Sequence, residues 1–154
     1  MIIETLKSLF ARDLQRLKNE IELYNEERNI WRIENEIANS AGNLCLHLVG
    51  NLRTYIGKEI GKTDYVRNRE LEFSARDISK DELLTRIEET ILIVNRSLDK
   101  VTPEELLMEF PILVLEKPTS MEYLLIHLAT HLNYHLGQVN YHRRILDQDL
   151  DSIQ

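Results

Sequence analysis

The sequence predicts an all-α protein built as a single four-helix bundle. The first observation is compositional: Leu, Ile, Glu, Lys, Arg and Asn dominate, with three Pro and five Gly in 154 residues, too few for a loop-rich β fold. The second is periodicity, because four segments repeat apolar residues every three or four positions. The third is the length of the link between the second and third segments, which permits a crossover where a short turn would force antiparallel neighbours. The chain length favours one domain over residues 1–154, and a chain of this size can bury a substantial core.

The first helix is expected over residues 2–24, where Ile3, Leu6, Phe10, Leu14, Leu17, Ile21 and Tyr24 form one stripe. A polar link containing Trp31 follows. The second helix is expected over residues 41–60, capped by Asn39 or Ser40, with Leu44, Leu48, Leu52 and Ile56 as its stripe. Roughly eighteen residues then lead to a third helix starting near Ser79, a span long enough for helices two and three to run parallel. Ser79 and Glu82 have the spacing of a capping box, and Leu83, Ile87, Ile91 and Val94 continue the stripe. A short extended piece is expected over residues 112–115. The fourth helix starts after Pro118, capped by Thr119 or Ser120, and runs to about Leu146.

Composition narrows the function classes. A net charge of −7 argues against a nucleic-acid partner, whose phosphates require a basic face. The single cysteine, Cys45, permits no intrachain disulfide, which agrees with a cytoplasmic location. Glu4, Lys7 and Arg12 interrupt the first residues, unlike a signal peptide. No apolar run approaches membrane-spanning length, so no membrane partner is expected.

Four of the five histidines fall between His127 and His142. His127, His131 and His135 are spaced at i, i+4 and i+8, so they share a helix face beside the apolar stripe. A polar seam of hydrogen-bonded imidazoles is one reading, and the natural one for His142. A metal site is the other, because imidazoles one turn apart can reach one ion. All three cannot, since His127 and His135 are about 12 Å apart along the axis. The pair is therefore His127 with His131, or His131 with His135. The remaining histidine, His47, lies at the polar edge of the second stripe and is the candidate third ligand. Three imidazoles with an open position suit Zn²⁺ or Ni²⁺. The glutamate of an H-E-x-x-H site is missing, because Leu132 follows His131 and Leu128 follows His127. Cys45 lies far round the helix from His47 and reads as a buried free thiol.

The segments "WRIENEIANSAGNLCLHLVGNLRTYIG", "TDYVRNRELEF" and "HLNYHLGQVNYHRRIL" resemble the DinB/YfiT-like superfamily, and most of all an uncharacterised branch of it. The resemblance runs from about Trp31 to Leu146, and its H-x-x-x-H-x-G-Q element spans His131 to Gln138. It implies an up-down-down-up bundle with a long crossover between helices two and three. It also implies a divalent metal held by His47, His131 and His135, with His127 one turn before the pair as a pocket residue. Where members of the superfamily often carry Arg after the last ligand, this chain has Leu136.

The function expected on this basis is a metal-dependent enzyme: a thiol-dependent S-transferase, or a related metal-assisted reaction such as hydrolysis. The alternatives are a non-catalytic metal or small-molecule binding module, and a dimerising bundle whose imidazoles line a wet seam. Arg67 and Arg69 are expected to clamp a carboxylate of thiol or substrate, against the alternative that they pair with Glu70, Glu72 or Asp64. His127 and Asn51 are further candidate substrate-binding residues. No general base stands out; Tyr134, Tyr141 and Glu88 are candidates. The expected partners are a low-molecular-weight thiol and a second copy of the chain in a homodimer.

Overall fold

The computed structural model describes residues 1–148. Its helices are α1 Ile2–Glu22, α2 Ala41–Leu52, α3 Arg69–Ser74, α4 Lys80–Leu98, α5 Pro103–Leu107 and α6 Met121–Leu146. Among the described residues there is no β-strand. Residues 112–115, expected to be extended, are irregular. The local pairing is instead an isolated antiparallel bridge between Glu109 and Ser120, which brings α5 back to the start of α6. None of the helices is long and apolar enough to cross a membrane.

The stripe of α1 is buried as expected, from Ile3 through Phe10 to Ile21, against α4 and α6. Polar groups fix how α1 lies along α6. Asn133 donates to Asp13 at 3.1 Å, and Asn140 and Arg143 each donate to Glu20 at 2.7 Å. These asparagines turn away from the imidazole row because they face α1.

Every residue of α2 is buried. A helix apolar on one stripe needs one neighbour, but α2 has α6 and α4 on its sides, α3 lying along it, and the 3₁₀ turn Glu27–Trp31 over its start. Its cap is Ser40, whose hydroxyl accepts from Asn43 N at 3.1 Å. Beyond Leu52 the helix widens to a π-turn over Arg53–Lys58, where the sequence periodicity predicted a plain helix. The turn lies against α4 through Gly57, whose absent Cβ would fall 2.9 Å from Ile93 Cγ2.

Trp31 lies over the first turn of α2 at Gly42, where an added Cβ would come within 2.6 Å of the indole ring. Alanine normally favours a helix over glycine by about 1 kcal/mol. Gly42→Ala should nevertheless destabilise the protein, by about 1–3 kcal/mol, because the indole must move within a packed core. Urea denaturation measures this, and a stabilised variant would contradict the packing described.

Serine caps begin α4 and α6, although the capping box expected at Ser79 is only half formed because the Glu82 carboxylate accepts from Arg86 instead. Ser79 accepts from Glu82 N and Ser120 from Tyr123 N, each at 3.2 Å. A complete capping box, Thr102 with Glu105, starts α5. The core runs between α1, α2, α4 and α6, with Phe10, Leu48, Leu83 and Leu132 among its buried members.

Candidate metal centre

His47 from α2 meets His131 and His135 from α6, with one ring nitrogen of each within 4.8 Å of the others. His47 and His131 approach Nε2 to Nε2 at 3.2 Å. The His135 ring stands perpendicular to both, with centroids 4.6 Å from His131 and 5.4 Å from His47. His127 stacks on His131 at 6.3 Å, outside this group. Of the two pairs left open by spacing, the fold therefore gathers His131 and His135 around His47.

The far side of two rings is held. His135 Nδ1 is 2.6 Å from Gln138 Oε1, one turn along α6. His47 Nδ1 is 3.1 Å from Glu72 Oε1 of α3. Both partners are acceptor oxygens, so in a neutral ring each Nδ1 carries the proton and each Nε2 keeps a lone pair. Burial first, and then the nearby His135, His47, His127 and Arg67, push His131 down to about 4. Burial likewise lowers His135, against the opposing hydrogen bond to Gln138. These two rings are neutral at pH 7, the state in which imidazole can ligate a cation. His131 Nδ1 is buried and has no hydrogen-bond partner among the described residues.

This donor set could hold a metal ion: three imidazoles from two packed helices, two of them with Nδ1 against an acceptor oxygen. The family model described as "Protein of unknown function (DUF1572)" matches residues 2–153. The chain belongs to this family. No curated protein matches it.

In this DUF1572 protein the other candidate residues separate by position. Arg67 is half-buried and pairs with Glu72, Nε to Oε2 at 2.8 Å and Nη2 to Oε1 at 2.9 Å, with Nη2 also 3.5 Å from His47 Nδ1. The pairing with Glu72 is thus present for Arg67. Arg69 is exposed, with its guanidinium 6.0 Å from the Phe73 ring. Asn51 is buried one turn beyond His47, and its Oδ1 lacks a partner among the described residues. His127 borders a groove of about 690 Å³ with Lys117 and Tyr123. A second groove, of about 370 Å³, lies at the other end of the imidazole row beside Leu44, Gln138 and Tyr141.

Of the candidate bases, Glu88 pairs with Lys18 at 2.8 Å. Tyr134 and Tyr141 are exposed on α6, Tyr134 with its ring edge-on to His135 at 5.4 Å. His142 has the structural role expected of it, bonded to Tyr24 Oη at 2.7 Å and to the Arg32 carbonyl at 2.8 Å. Sequence reasoning missed Glu72 and Gln138 as partners of the imidazoles. Gln138 carried a signal, being three residues after His135 on the same face. Glu72 carried none beyond its place in a polar link.

Cys45 is fully buried and outside the imidazole group, and burial pushes its thiol up to about 12. Native protein at pH 8 should resist thiol-specific reagents and react only after unfolding. Rapid labelling of the native state would contradict this burial.

Proposed function

We propose that the chain is a divalent-metal protein of DinB/YfiT-like type, with the ion held by Nε2 of His47, His131 and His135. In this reading α1, α2, α4 and α6 form the up-down-down-up bundle, and α3 and α5 belong to its connections. The observation that carries the proposal is the convergence of three imidazoles, two with Nδ1 already bonded to an acceptor. Zn²⁺ and Ni²⁺ match such a donor set with a position left open. A bound ion of this kind lowers the pKa of a thiol or water and so supplies a nucleophile at neutral pH.

A thiol-dependent transfer is the reaction we assign. The chain's own residues bind and orient: α2 and α6 bring the three imidazoles together, and the grooves beside His127 and Gln138 are where this reading places the substrate. The test uses Co²⁺-substituted protein. Adding bacillithiol or glutathione should produce a sulfur-to-cobalt charge-transfer band, absent in His131→Ala. Retained cobalt with no band for any cellular thiol would overturn the thiol assignment. The competing reading is a non-catalytic binding module, favoured by the pairing of Glu88 and Arg67 with other side chains. Turnover of any ester or amide by the holoprotein would exclude it.

The pH dependence follows from the depressed imidazoles. Free imidazole titrates near pH ~6.5 and competes with metal from there downward. Because His131 is neutral down to about 4 and His135 is lowered too, ion content should change little from pH 8 to pH 6 and fall steeply towards pH 4. Metal release complete by pH 6 would contradict these lowered values. Retention at pH 3 would contradict imidazole ligation.

A further inference from the structure

We infer that Glu72 is a positioning residue for the metal centre: it fixes His47 as the Nδ1–H tautomer, and Arg67 fixes Glu72. The part of this inference that concerns metal affinity rests on the metal reading above; the part that concerns the tautomer does not.

An ionised carboxylate only accepts hydrogen bonds, so the 3.1 Å contact between His47 Nδ1 and Glu72 Oε1 makes the imidazole the donor; Arg67 Nη2 also reaches this nitrogen, but at 3.5 Å, the longer contact, and its shorter bond is the one to Glu72. A neutral imidazole has one N–H, so Nε2 is left with its lone pair towards His131 and His135. The carboxylate itself has little freedom. It is 5% exposed and both oxygens are taken by the Arg67 fork. Because both oxygens face N–H donors of Arg67, the carboxyl group is held as an acceptor.

The surrounding chain is arranged to seat this one side chain. α3 has only six residues, too few to be stable by itself. It is tied to α2 by Asn43, whose amide donates to the Glu72 and Ala75 carbonyls, each at 2.9 Å. Asn43 in turn accepts from Ser40 at 2.6 Å and from Arg76 at 2.8 Å. Phe73, the next residue on α3, lies against the His47 ring at 5.0 Å. On the facing turn of α2, Gly50 leaves the room that the Glu72 carboxylate occupies, and an added Cβ there would overlap it. Glycine inside a helix costs about 1 kcal/mol relative to alanine. Here the missing Cβ has a use, because the carboxylate fills its place.

A structural ion pair alone would hold α3 to the bundle without regard to which nitrogen of His47 is protonated. The two roles are therefore separated by reading the tautomer directly. In metal-free protein, long-range ¹H–¹⁵N spectra of labelled histidine should give His47 as the Nδ1–H form. Glu72→Ala should shift it to a mixture or to the Nε2–H form, with the His142 signals unmoved as an internal control. Zn²⁺ affinity, measured by chelator competition, should fall by about 10–100-fold, the range for lost outer partners of ligating histidines. Gly50→Ala, which alters no ligand and no charge, should lower affinity in the same direction by displacing the carboxylate. Glu72→Gln retains an acceptor oxygen of the same reach, should keep His47 as the Nδ1–H form and should lose less affinity than Glu72→Ala. His47 unchanged as the Nδ1–H form in Glu72→Ala, or in Gly50→Ala if the former unfolds, with affinity within twofold of the parent, would overturn the inference while leaving the metal site intact. If the parent chain binds no metal, the metal reading fails, and the tautomer spectra alone decide the role of Glu72.

Discussion

Replacing His131 by alanine should abolish metal binding, and His47→Ala and His135→Ala should each do nearly the same. The protein purified without chelators is expected to carry about one divalent ion per chain, as a three-imidazole site predicts. Each substitution removes one of three directed nitrogens that lie within 4.8 Å of one another. The loss should therefore exceed the roughly 10–100-fold typical of an outer partner. His127→Ala is the contrast: its ring stacks on His131 but lies outside the group, so the ion should remain. Elemental analysis of the four variants reads this directly. Full occupancy in His47→Ala would remove the cross-helix site. Loss in His127→Ala with His135→Ala silent would move the site one turn along α6.

His142→Ala should behave in the opposite way, keeping the ion and losing stability. His142 is 4% exposed and bridges Tyr24, at the end of α1, to the Arg32 carbonyl in the link before α2. Removing the ring strands the Tyr24 hydroxyl, in a residue 2% exposed, and leaves space behind it. A buried unpaired hydroxyl costs about 1–3 kcal/mol, and the cavity adds to that. A total loss of about 2–4 kcal/mol in urea denaturation is expected, a large fraction of the roughly 5–15 kcal/mol available to such a chain. A change below about 0.5 kcal/mol, within the range of ordinary surface substitutions, would show that this bridge does not hold the two connections together.

These two outcomes separate histidines that look alike in the sequence, and they mark how far the sequence could be read. The stripes of α1, α4 and α6 were legible because each of those helices has one solvent face, so apolar spacing reports the core directly. Serine before each of α2, α4 and α6 marked where they begin. α2 was legible as a helix but not as a central one, since its polar residues Asn43, His47 and Asn51 are buried with the rest. Periodicity presents them as an outer edge, and only α3 lying across them reverses that. α3 itself is shorter than two full turns and leaves no periodic trace. The π-turn after Leu52 depends on the close approach of α4 at Gly57, which local spacing does not encode.

The candidate site divides in the same way. The i, i+4 spacing gave two pairs of imidazoles, and the lone histidine elsewhere gave the third. Choosing between the pairs needed the level at which α2 meets α6, a tertiary fact. Arg67 had two readings of equal chemical sense, a clamp for substrate or a partner for an acid. Its choice depended on Glu72 being buried beside His47, five residues away along a link with no regular structure before α3.

If three Nε2 atoms share one ion, anomalous diffraction at the metal absorption edge, on crystals of protein purified without chelators, should show it. A single strong peak is expected at about 2.0–2.1 Å from Nε2 of His47, His131 and His135, with Glu72 and Gln138 bonded to the opposite nitrogens of His47 and His135. A peak bound through Nδ1, a peak at any other group of residues, or no peak in crystals soaked with Zn²⁺ would contradict it.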